Sequence, residues 1–95
     1  MLVIDVTYKK PLDEVNGLLD AHRAFLDQYY EQGIFIASGA KQPRTGGIIL
    51  ARTTRKNMEA IIQQDPFYIG EVADYHITEF VPTKYSKAFE HVVKN

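Results

Sequence analysis

Four short β-rich runs and two longer amphipathic stretches follow one another in the order β-α-β-β-α-β, within 95 residues. Leu2 to Tyr8 is rich in β-branched residues and reads as the first strand. Pro11 opens a helix, and Asp13 and Glu14 suit its positive N-terminal end. That helix is expected to run to about Gln32, with Gly33 as its stop. Ile34 to Ser38 and Gly47 to Arg52 read as two strands joined by the Pro- and Gly-punctuated loop Gly39 to Gly47. Thr53 or Thr54 caps a second helix ending near Gln64, and Asp65-Pro66 breaks it. Phe67 to Ala73 reads as a short turn of helix, Asp74 to Val81 as the fourth strand, and Ser86 as the start of a short C-terminal helix. This order predicts an α+β fold: a ferredoxin-like sandwich with one antiparallel sheet and both helices on one face. One domain over residues 1–95 accounts for the whole chain.

A sheet of this kind normally has one apolar and one polar face. Here Ile34 and Ile36 oppose Phe35 and Ala37, and Ile48 and Leu50 oppose Ile49 and Ala51. The helices cover one face, and the short chain leaves little to cover the other. We therefore expect a homodimer, sheet against sheet. The competing reading is a face that is partly exposed or covered by the C-terminal helix.

Composition narrows the function. A 45% hydrophobic content with six Tyr and five Phe argues against disorder. A net charge of -1, with cations scattered among acids, supplies no basic face, so no nucleic-acid partner is expected. An RNA-binding module shares the strand order, but its third strand carries stacking aromatics, and Gly47 to Arg52 has none. With no cysteine there is no thiol nucleophile, disulfide or thiolate metal site. His76 and His91 have no ligand spacing with His22, so neither a metal nor another cofactor is expected. Gly46-Gly47 follows no strand-to-helix turn, and no Ser-centred nucleophile elbow is present. The N-terminus lacks the pattern of a secretory signal, and no run approaches the roughly 20 apolar residues of a membrane helix. The expectation is a cytoplasmic protein without membrane partners.

Two ionisable residues interrupt the apolar stripes. At about 100° per residue, Val15, Leu18, Leu19, Phe25, Leu26 and Tyr29 fall within about 60° of His22. The same projection places Met58, Ile61 and Ile62 beside Asp65. A polar group buried there finds a partner or costs about 1–3 kcal/mol. The simplest partner for each is the other. A carboxylate on one ring nitrogen fixes the tautomer and frees the second nitrogen as a base or acid. Each residue also has a structural reading: a core histidine bonded to a carbonyl, and an N-cap aspartate before Pro66.

Weaker candidates surround the pair. Ser38-Gly39 ends a strand and offers a hydroxyl and a close backbone approach to a ligand. Lys41 and Arg44 lie in the hairpin loop, where they can attract an anion. Tyr29 either lines the pocket of His22 or packs, and Phe67 either packs or forms a pocket wall.

This set, His22 followed by Phe25-Leu26, then Ser38-Gly39, Gly46-Gly47 before an apolar strand, and Asp65-Pro66-Phe67, resembles the YCII-related (YciI-like) family from Leu2 to about Val81. The resemblance implies a dimeric α+β barrel and an active site built on a His-Asp pair, carried here onto His22 and Asp65, with Ser38 near the pocket. It also implies small-molecule lyase or isomerase chemistry, dehalogenation included. Gly39-Ala40 departs from the Gly-Pro common in members, which implies a differently shaped loop over Lys41 to Thr45. Two functions follow. One is a cofactor-independent lyase or isomerase acting on a small anionic or aromatic ligand, with His22 and Asp65 catalytic and Ser38, Gly39, Tyr29, Arg44 and Phe67 binding. The other is a non-catalytic metabolite-binding or accessory barrel.

Overall fold

Strand β1 (Leu2–Tyr8) is central and carries the strongest alternation in the chain. Leu2, Ile4 and Val6 are buried on one side, while Val3, Asp5 and Thr7 face the other. A computed structural model describes residues 1–94. After β1 come α1 (Leu12–Gly17), α2 (Leu19–Glu31), β2 (Phe35–Ala40), β3 (Gly46–Ala51), α3 (Arg55–Ile62), α4 (Pro66–Ile69) and β4 (Ala73–Glu79). A 3-10 turn at Lys87–Phe89 leads into α5 (Glu90–Lys94). The strands form one sheet in the order β2-β3-β1-β4, antiparallel at every pairing. This is the ferredoxin-like α+β architecture, with β1 and β2 separated by β3.

Register explains the core. Ile4 pairs with Ile49 on one side and Ile77 on the other, and Leu2 with Ala51 and Glu79. These positions share the face covered by the helices. Val15 of α1, Phe25 and Tyr29 of α2, and Met58, Ile61 and Ile62 of α3 complete one apolar cluster with them. Thr54 caps α3, its hydroxyl accepting from the Asn57 N–H at 3.1 Å. Gly33 ends α2 at φ +73°, the left-handed conformation that glycine adopts without strain. No helix among the described residues is long and apolar enough to cross a membrane.

Two local expectations are corrected. The expected single helix from Pro11 to Gln32 is broken at Leu18, which sits at φ -107°, ψ 0°. The Leu18 N–H reaches back only three residues, to the Val15 carbonyl. Asn16 and Gly17, both weak helix formers, precede the break. The strict alternation expected across Ile34 to Ala37 is also lost. A register shift between Phe35 and Ala37 leaves Phe35 opposite Ala51, under the helices, and Ala37 opposite Leu50, on the open face. Ser38 then pairs with Ile49 and returns to the helix side.

The open face is mixed. Val3, Ile48 and Leu50 stay partly exposed beside Asp5, Thr7 and His76. Lys41 donates to Asp5 at 2.6 Å and to Thr7 at 3.3 Å. Its hydrogen bond holds the Asp5 carboxyl below the ordinary carboxylate range. A carboxyl lowered on folding contributes stability above its unfolded value and loses it as pH falls through the folded one. Asp5→Asn is expected to narrow the stability difference between pH 6 and pH 3 in urea melts, relative to wild type.

Gly46 begins β3 close against the backbone of β1. A Cβ there would lie 1.8 Å from the Val6 carbonyl oxygen, so β1 and β3 would have to separate. Gly46→Ala is expected to destabilise the fold by about 1–3 kcal/mol, read as a lower urea midpoint.

Candidate active site

Asp65 is the N-cap of α4, and its side chain turns inward under α2. Pro66 at the first helical position fixes the local backbone. Oδ1 accepts the Phe67 N–H at 3.0 Å, as an N-cap does, and also meets His22 Nδ1 at 2.8 Å. Cap and imidazole partner are the same oxygen. Oδ2 accepts the Tyr75 hydroxyl at 2.5 Å. The Asp65 side chain has 0% exposure and that of His22 13%. Every buried side-chain polar atom among the described residues has a partner.

His22 stands on α2, one turn past the Leu18 break, where its N–H bonds the Leu18 carbonyl at 2.9 Å. Its ring lies flat on Phe67, with centroids 3.9 Å apart and planes 4° apart. Phe25 lies 6.2 Å from the ring, centroid to centroid, with its plane inclined by 28°. The stacking and the carboxylate together fix the orientation of the ring. Nδ1 is engaged by Asp65, and among the described residues Nε2 has no protein partner. A carboxylate on Nδ1 selects the tautomer with the proton on that nitrogen, leaving Nε2 a lone pair.

A cavity of about 360 Å³ opens beside His22. That size suits a small ring compound. Leu19, Leu26, Val6 and Ile49 give it apolar walls, and Tyr8 and Phe67 give it aromatic ones. Ser38, Gly39 and Gly47 bring a hydroxyl and exposed backbone to its edge. Arg23 and Arg44 are its charged lining residues, and no acid is among the described residues that line it. Arg44 is held by Asn16, whose Oδ1 accepts from the guanidinium at 2.7 Å, and lies 5.9 Å over the Tyr8 ring. The Ser38 hydroxyl is paired with the Tyr30 hydroxyl at 2.6 Å.

The structure thus brings His22 and Asp65 into contact and gathers Ser38, Gly39, Arg44 and Phe67 around one cavity. Two expectations are corrected. Tyr29 does not line the cavity. It lies two turns beyond His22 on α2, packs on Phe25 and Phe35, and donates its hydroxyl to Gln64 at 2.9 Å. Lys41 does not face the cavity either, because Asp5 draws it to the open side of the sheet. The residues that sequence reasoning missed are Tyr75, Tyr8, Arg23 and Asn16. Alternation along β4 would have placed Tyr75 on the helix side with Ala73 and Ile77. Burial, and then the charge of Asp65, push the Tyr75 phenol above its ordinary range, so it stays protonated and donates. Among the described residues, no three or more His, Cys, Asp or Glu side chains come together as metal ligands would.

A ferredoxin-like sandwich with an imidazole–carboxylate pair beside a ring-sized cavity places the chain among small α+β proteins of one sheet and one helix layer. The YCII-related domain matches residues 1–81, and the chain belongs to that family. Among solved structures it is similar to the 5-chloro-2-hydroxyhydroquinone dehydrochlorinase of Burkholderia phenoliruptrix AC1100, in complex with 2,5-dihydroxybenzoquinone. The TM-score is 0.71 at 16% identity, covering 93% of this chain and 98% of that one. At that identity the likeness is one of fold. No curated protein matches the sequence.

Asp65→Ala would leave the His22 Nδ1–H, the Phe67 N–H and the Tyr75 hydroxyl without their acceptor. We expect a loss of about 3 kcal/mol or more in chemical denaturation.

Proposed function

We propose that this protein is a small-molecule lyase or isomerase in which His22 moves a proton and Asp65 orients and charge-balances the imidazole. The observation that carries this reading is the division of the imidazole. Nδ1 is bound to a fully buried carboxylate, while among the described residues Nε2 has no protein partner and the ring lines a cavity. A base in that position takes a proton from a bound ring or enolisable carbon. It then returns the proton to another atom, in an isomerisation, or hands it on as a leaving group departs with its bonding pair, in an elimination. Neither route changes the oxidation level of the substrate and leaving group together. Arg23 and Arg44 favour an anion, Phe67 and Tyr8 a flat ring, and Ser38 a polar substituent. The dehydrochlorinase of like fold makes chlorinated hydroxyhydroquinones the first compounds to try.

The protein acts as a homodimer on this reading. Support comes from Val3, Ile48 and Leu50 on the uncovered sheet face, where a second copy would remove them from water. A second reading, a binding module without turnover, draws on Phe67, which covers one whole face of His22 as a structural residue would.

The test is incubation with 5-chloro-2-hydroxyhydroquinone, other chlorinated phenols and small ring carboxylates, followed by chloride release and ultraviolet spectra. Thermal stabilisation reports binding alone. His22→Ala is expected to lower turnover by about 10²–10⁴-fold, with partial rescue by free imidazole. Undiminished turnover in His22→Ala would refute the assignment. Stabilisation by a compound that is never converted would favour the binding module.

A further inference from the structure

Tyr75 is the donor to Asp65 that neither the family resemblance nor the helix stripes indicate. It comes from β4, the edge strand on the far side of β1. We propose that Tyr75 is a positioning residue of this site: by donating its phenolic proton to Asp65, it sets how tightly His22 holds a proton. The inference rests on the reading of His22 as the proton carrier.

The two oxygens of Asp65 are served unequally. Oδ1 has the backbone N–H of Phe67 and the ring nitrogen of His22. Oδ2 has Tyr75 alone among the described residues. The site is dry, since the Asp65 side chain has no exposure. With the phenol in place, part of the carboxylate charge is drawn towards Oδ2, away from the imidazole. Without it, the whole charge is left to Phe67 N–H and His22. The pair then binds its first proton more tightly, whichever atom carries it. A stronger phenolic donor does the opposite. Burial and the Asp65 charge raise the phenol above its ordinary range, so it remains a donor near neutral pH.

Three other charged or titratable groups line the cavity beside His22. Arg23 comes from α2, Tyr8 from β1 and Arg44 from the hairpin loop. All three are unchanged when only Tyr75 is altered, so their effects cancel in the difference. Packing is separable as well. The Tyr75 ring meets Tyr68 edge-on at 6.0 Å, and phenylalanine keeps that contact.

The experiment is an NMR titration of the full chain, labelled at histidine, with no substrate added. In Tyr75→Phe, the His22 midpoint is expected to move up by about half a pH unit or more. With 3-fluorotyrosine placed at position 75, which keeps ring and hydroxyl but donates more strongly, it is expected to move down. His76, on the opposite face of β4, and His91 serve as internal references that stay put. Unmoved His22 midpoints would overturn the proposal. If Tyr75→Phe fails to fold, the fluorinated protein decides alone. The titration needs no turnover, so the two readings fail separately. A moved midpoint in a protein that converts no compound keeps the role of Tyr75 and removes the enzyme. Turnover that depends on His22, with unmoved midpoints, does the reverse.

Discussion

A carboxylate with no contact with water is the constraint on which this structure depends. Desolvating such a group costs several kcal/mol unless donors replace the water. Asp65 obtains its donors from three separate elements: the ring of His22 on α2, the backbone of Phe67 on α4 and the phenol of Tyr75 on β4. Each donor restricts where its element can lie. Helix α2 cannot slide along the sheet without losing the imidazole contact, and α4 cannot unwind without losing its cap. One acidic side chain therefore acts as a clamp between the helix layer and the sheet.

The same burial sorts the charges of the site. Asp65 does not line the cavity, because His22 and Phe67 stand between them. The imidazole feels the carboxylate at hydrogen-bond distance. A molecule in the cavity meets Arg23 and Arg44 first. Coulomb interactions fall with distance and with polarisable material between the charges. The cavity lining is therefore cationic, while the carboxylate charge is confined behind the imidazole. An Asp65 exposed to the cavity would offset part of that positive lining.

The order of elements was legible because some elements carry their own period and Pro and Gly punctuate the rest. Alternation in Leu2 to Tyr8 and the 3.6-residue stripe through Phe25 are strong local signals. The His22–Asp65 contact was legible for the same reason: both interrupt stripes that must face one sheet. The break at Leu18 was not, since apolar spacing continues across it while the backbone does not. Nor was the bulge beside Ile36, which returns Ser38 to the helix side against simple alternation. Tyr29 shows the limit of helical projection. It shares the angular sector of His22 but stands about 10 Å further along the axis, at 1.5 Å per residue, over Phe35 and not over the cavity. Angle without axial distance puts a residue on a face, not in a site.

The hairpin between β2 and β3 shows how one short loop serves both faces of a sheet. Its ends are fixed by strand pairing. The Lys41 N–H bonds the Gly46 carbonyl at 2.9 Å, and the Tyr8 N–H bonds the Thr45 carbonyl at 2.9 Å. From that base, Lys41 turns to Asp5 on the open face and Arg44 turns to Asn16 and Tyr8 on the helix face. Two cations three residues apart are thus separated by the thickness of the sheet. Composition makes them equivalent, and each is assigned by the acceptor that its face provides. Asp5 lies on the open parity of β1 and Tyr8 on the helix parity, so the alternation that buries Ile4 also decides which cation reaches the cavity.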